Sequence, residues 1–151
     1  RDNAYLYAQA QYDGIVQADG ILEECGYTPD DFAQMTNGIA SSTCDQPARF
    51  EGYVSSVLGH QHNIGASFRM TLNPETPDEL ILLDIPNWDF EWQFAYYPVE
   101  KIYIERNDII RLECVWDRSL RPNNLEPSYV LWADGSNDEM CFAVIMSYQK
   151  D

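Results

Sequence analysis

The segment LGHQHNIG, residues 58–65, carries His60 and His62, and the 151-residue chain has no other histidine. On an extended strand, residues i and i+2 project from the same face, about 6–7 Å apart. Two imidazoles so placed can converge on one metal ion. His-x-His alone is a weak signal, because a surface pair or a satisfied core pair is the commoner outcome. A metal held this way needs at least one further ligand. A carboxylate would suit zinc or a hard cation. A thioether would instead select Cu(I), since soft sulfur prefers a soft ion.

Four methionines could supply that sulfur. Met35 lies in a helical pattern, Met70 and Met146 lie in strand patterns, and each taken singly reads as core filler. Met140 differs. It follows the polar stretch DGSNDE and directly precedes Cys141. A methionine at the entry of a strand, beside a cysteine able to form a disulfide, is a positioned group.

The elements that must position these residues are mostly strands. Segments 48–58, 66–72, 79–85, 93–99, 100–105, 108–116, 129–133 and 141–148 are short and rich in Val, Ile, Tyr, Phe and Trp. In EKIYIE (100–105), Ile102 and Ile104 share one face, with Tyr103 and Glu105 on the other. Turn residues separate them at NPETPDE, ERND, RPNN and DGSND. The spacing predicts an all-β fold, an antiparallel β-sandwich of jelly-roll type. One short helix is expected over 27–38, with Thr28 as N-cap, Pro29 in the first turn and Asn37-Gly38 as the stop. The stretch AYLYAQAQYDGIV near the start could add a strand.

The length suits one domain with a real core, taken as residues 1–151. Hydrophobic residues make up 45% and aromatics 13%, which points to a packed globule. Twenty-five Asp and Glu against nine Lys and Arg give a net charge of −16. That balance argues against nucleic acid and anionic membrane surfaces as partners, and it draws cations. No apolar run of ~18 residues spans a bilayer. The chain opens on Arg1 without a signal peptide, which reads as a processed chain or a piece of a longer one. Cys25, Cys44, Cys114 and Cys141 form no Cys-x-x-Cys pair. An even count at wide spacing suits two disulfides and a secreted protein, extracellular or periplasmic; buried free thiols are the alternative.

Three motifs resemble one known family. GHQHNIG matches its His-x-His, GSNDEMC its Asp/Glu-Glu-Met-Cys segment, and FAYYPVEKIYIERNDIIRLECVWD (94–117) the stretch between. In type, order and spacing these are similar to the C-terminal domain of the type II, ascorbate-dependent copper monooxygenases. That family includes peptidylglycine α-hydroxylating and dopamine β-monooxygenases. The similarity runs from about residue 40 to 149. It implies one oxygen-activating copper held by His60, His62 and Met140, with catalysis at that ion. It also implies a Cys114–Cys141 disulfide, leaving Cys25 and Cys44 to pair. A reductant such as ascorbate, O2 or H2O2, and a small organic substrate would be the reaction partners.

The departures matter equally. The family's full enzymes carry a second, histidine-rich copper domain, and both histidines of this chain are already committed. An electron donor or partner domain would have to come from elsewhere. The peptide-hydroxylating members carry polar residues where this chain has Leu58, Phe142 and Val144. Apolar groups there argue for an apolar substrate.

Other chemistry fares worse. Trp88, Trp92, Trp116 and Trp132 could stack on sugars, but aromatics at strand positions are mostly core. Asp89 and Glu91 in NWDFEW could mimic a glycosidase pair, yet two acids in an acidic chain say little. The acids from Glu75 to Glu91 read as a solvated face. No phosphate loop or Ser or Cys nucleophile arrangement is present. The rival readings are a non-catalytic copper-binding module for storage, delivery or partner recognition, and a metal-free interaction domain.

Overall fold

The computed structural model describes residues 25–27, 38–120, 136 and 139–149. Among the described residues, seven strands make two antiparallel sheets. They are β1 (Ile39–Pro47), β2 (Gly52–His60), β3 (Gly65–Leu72), β4 (Leu80–Ile85), β5 (Tyr103–Ile104), β6 (Ile109–Asp117) and β7 (Phe142–Tyr148), with a 3-10 turn at Arg118–Leu120 after β6. One sheet runs β1-β6-β3-β4 and the other β5-β2-β7. The chain crosses repeatedly between them, so strands adjacent in sequence are often not neighbours in a sheet. The expected antiparallel sandwich is the architecture observed. The expected helix over 27–38, the early strand and the 129–133 strand lie, wholly or nearly so, outside the described residues.

Alternation builds the core. From β2, Val54 and Val57 point inward; from β3, Phe68 and Met70; from β6, Cys114 and Trp116. Leu83 of β4 and Ile104 of β5 complete the layer. Ile104 is fully buried and Tyr103 is exposed, as the alternation in EKIYIE predicts. Met70 is core, as expected, but Met146 is 60% exposed and is not core filler. It sits opposite Ser56 on the outer face of the three-stranded sheet. The described tryptophans also divide: Trp116 is buried, Trp88 packs at the core's margin and Trp92 is exposed, while Trp132 lies outside the described residues.

Two segments depart from the sequence reading. β1 was not expected, because IASSTCDQP lacks a Val, Ile or aromatic run. It is an edge strand paired with β6 along its full length, and most of its residues face water. Edge strands need fewer large apolar side chains, and Pro47 at its end is tolerated there. Conversely, 93–99 is not a strand. It touches β2 at one bridge, Val57 with Tyr96, and Pro98 supplies no ladder donor.

The outer faces differ in kind. On the four-stranded sheet, Arg111 grips both Asp45 carboxylate oxygens at 2.7 and 2.8 Å and reaches Glu75 at 2.6 Å. Arg69 binds Asp84 at 3.0 Å. The Arg111 guanidinium holds the Asp45 carboxyl below its usual range. These exposed pairs contribute little each, but they make a solvated, charged face. The three-stranded sheet presents Tyr53, Leu58, Phe142, Val144, Met146 and Tyr148 instead.

The sheets meet without slack at Gly59. A Cβ there would lie 2.6 Å from the Phe68 ring. Gly59→Ala should therefore destabilise the protein by about 1–3 kcal/mol through overpacking. Urea unfolding measures this, and a change inside about 0.5 kcal/mol would show that the contact yields freely.

Candidate metal site

His60 is the last residue of β2, and His62 lies just beyond it. The pleat alone therefore does not align the two imidazoles. A turn does: the Gly65 N–H donates to the His62 carbonyl at 3.2 Å, closing the loop into β3. The rings end 4.9 Å apart, centroid to centroid, and nearly perpendicular at 77°. His62 is buried and His60 half-buried. The Phe90 ring packs edge-on against His62 at 6.0 Å. His60 Nδ1 lies 2.5 Å from Gln93 Oε1.

Between the histidines, Gln61 is fully buried and donates to the Ser67 carbonyl at 2.5 Å. Its side chain and Trp88 crowd Gly65, where an added Cβ would meet them at 2.5 and 2.6 Å. Only a residue without a side chain lets the loop close so tightly.

Met140 joins this end of the sandwich through backbone pairing. His60 is directly opposite Phe142 in the β2–β7 ladder, and Met140 precedes Phe142 by two residues. Two fastenings flank it. Cys141 is bonded to Cys114 of β6, with Cα atoms 5.9 Å apart, so the disulfide joins the two sheets. Cys25 pairs with Cys44. Both pairings agree with the expectation, and they fit an oxidising compartment.

The second fastening is Glu139, which is 0% exposed. Its Oε2 accepts the His62 backbone N–H at 2.9 Å and its Oε1 accepts the Ile64 N–H at 2.7 Å. One carboxyl thus ties the turn carrying His62 to the residue before Met140. Burial pushes its pKa up from 4.5 to about 7. The N–H groups of Ile64, His62 and Met140, and the Trp116 indole, pull the other way without cancelling that effect.

Two imidazoles and a thioether are donor types that suit a soft ion, and the Met140 side chain is partly buried against the hydrophobic core. Two imidazoles lie side by side, and a thioether sits on a strand entry fastened to the same loop. Among the described residues, no three His, Cys, Asp or Glu side chains gather so as to hold a metal. Leu58, opposite Val144, and Phe142, opposite His60, put three apolar residues on the face that carries His60. A cavity of about 600 Å³, lined by Leu72, Asn73, Lys101 and Tyr103 among others, includes none of these residues.

Sequence reasoning missed three contributors. Glu139 was visible only as a letter of the methionine motif. Phe90 and Gln93 sit in or beside NWDFEW, a stretch whose acids and tryptophans drew notice while these two did not. Nothing in composition marks a residue that reaches a histidine from 33 positions away.

The Glu139 carboxyl also sets a pH dependence. Its folded pKa is raised, so between about 4.5 and about 7 the native state binds more protons than the unfolded one. Stability is then greatest below the ordinary value and falls as pH rises through about 7. In the metal-free protein, the urea midpoint should drop from about pH 5 to about pH 8, and Glu139→Gln should flatten that slope. An unchanged slope in the variant would assign it to other groups. The amide cannot accept at both atoms, so the variant should also lose about 1–3 kcal/mol overall. Set against known proteins, the chain matches no family model and no curated protein.

Proposed function

We propose that this chain is a copper-dependent monooxygenase-type domain, with one copper ion held by His60, His62 and Met140. The observation that carries the reading is the 4.9 Å pairing of the only two imidazoles in the chain, with the His62 backbone N–H bonded to Glu139, the residue next to Met140. Three motifs that resemble the type II copper monooxygenases support it. When bound, copper supplies the one-electron chemistry that activates O2 or H2O2 toward a C–H bond.

The protein's own groups have separate tasks. His60 and His62 provide nitrogen donors on a loop that cannot drift, because Glu139 and Gly65 close it. Met140 provides a soft donor suited to Cu(I). Cys141 and Glu139 keep that donor in place from either side. Leu58, Phe142 and Val144 present an apolar surface next to His60, suited to an apolar organic substrate. They offer no cation to a carboxylate. The electrons come from outside the chain, from a reductant such as ascorbate or a partner copper domain. Disulfides and an exposed acidic surface suit a secreted protein, extracellular or periplasmic. No helix among the described residues is long and apolar enough to cross a membrane.

Copper analysis of the reconstituted protein should give one ion per chain, and His60→Ala should abolish it. Cu(I) with O2 or H2O2 and ascorbate should yield hydroxylated product from an apolar test substrate. Stoichiometric copper with no product under any reductant would move the assignment to a copper storage or delivery module. Met140→Ile should keep the fold and weaken Cu(I) far more than Cu(II). Equal losses for both oxidation states would remove Met140 from the ligand set.

A further inference from the structure

We propose that Gln93 is a positioning residue that sets the tautomer of His60, so that Nε2 is the nitrogen offered to a metal. The inference rests on the copper reading for its purpose, but not for its geometry. The Gln93 amide is oriented by its other end. Its Nε2 donates to the Phe90 carbonyl at 2.7 Å, and a carbonyl can only accept. The amide nitrogen is therefore the atom facing Phe90, and the oxygen is the atom 2.5 Å from His60 Nδ1. That oxygen also can only accept, so His60 Nδ1 must carry the hydrogen. A neutral imidazole has one N–H, which leaves the lone pair on Nε2.

The support beneath Gln93 is itself fixed. The Trp88 N–H donates to the Ala66 carbonyl at 2.9 Å, which anchors the segment to β3. Asp89 then closes a tight turn: its Oδ1 accepts the Glu91 N–H at 2.9 Å and its carbonyl accepts the Trp92 N–H at 3.0 Å. Phe90 serves both histidines, because its carbonyl orients Gln93 while its ring packs on His62. Residues 88–93 thus form an outer layer that settles one histidine's proton and the other's ring plane. Metal-binding histidines depend on such partners for orientation and basicity, and losing one typically weakens binding by about 10- to 100-fold.

The test begins without metal. Long-range 1H–15N correlation spectra of the uniformly labelled protein, recorded up a pH series until they stop changing, report each tautomer directly. Wild-type His60 should be the Nδ1–H form. Gln93→Leu should shift it toward the Nε2–H form that histidine prefers in water, and weaken Cu(I) by about 10- to 100-fold. Gln93→Glu keeps an acceptor for Nδ1 but loses the donor to the Phe90 carbonyl, so it should retain the Nδ1–H form and weaken Cu(I) less than Gln93→Leu does. An Nε2–H tautomer in the wild type overturns the proposal without any variant. So does a Gln93→Leu protein that keeps the wild-type tautomer. If the wild type holds Nδ1–H yet binds no copper, the copper reading falls while the tautomer assignment stands.

Discussion

One buried carboxyl holds the candidate site together. Glu139 has no exposed surface, and its two oxygens accept backbone N–H groups of His62 and Ile64. A carboxylate in that position is costly to bury, and the strain shows as a pKa raised to about 7. It persists because the alternative is worse: without it, buried N–H groups of the turn would be orphaned. The gain is connectivity. Residues 77 positions apart are joined by a bond that neither strand pairing nor hydrophobic packing could supply.

The rest of the site is a set of answers to the same problem, how to keep a loop and a strand entry in register. The Cys114–Cys141 bond fixes the strand entry to the opposite sheet. Gly65 lets Gln61 and Trp88 close over the loop. The 88–93 segment approaches from the side and contacts both rings. None of these groups is a metal donor in the proposed function, yet each restricts where a donor can be. The two outer sheet faces reflect a division of labour. One is laced with Arg–carboxylate pairs, and the other carries His60 amid apolar and aromatic side chains.

Much of this was legible in the residues, and the limits have physical reasons. The strands that line the core announce themselves through β-branched and aromatic alternation, so β2, β3, β4, β6 and β7 were found within a few residues. β1 was not, because an edge strand of Ser, Thr and Ala buries too little to leave a pattern. QFAYYPV looks like a strand by composition, but Pro98 and a single bridge to β2 make it an irregular flank. His60 and His62 were identified as partners, though by the wrong local geometry: a turn, not a continuous pleat, brings them together. Four widely spaced cysteines suggested two disulfides, and the family resemblance implied how they pair. Glu139 and Gln93 were beyond reach, since a long-range hydrogen bond leaves no periodicity in the chain.

Gly59 carries a last implication. It stands next to His60 and has the Phe68 ring lying directly against its Cα. The interior of the sandwich and the histidine end thus share a boundary with no cushioning side chain between them. Any change in the shape of the Phe68 ring is transmitted through bare backbone to the imidazole beside it. A tighter or looser interior would consequently shift the placement of that imidazole as well, so packing and histidine position are coupled at this point of the molecule.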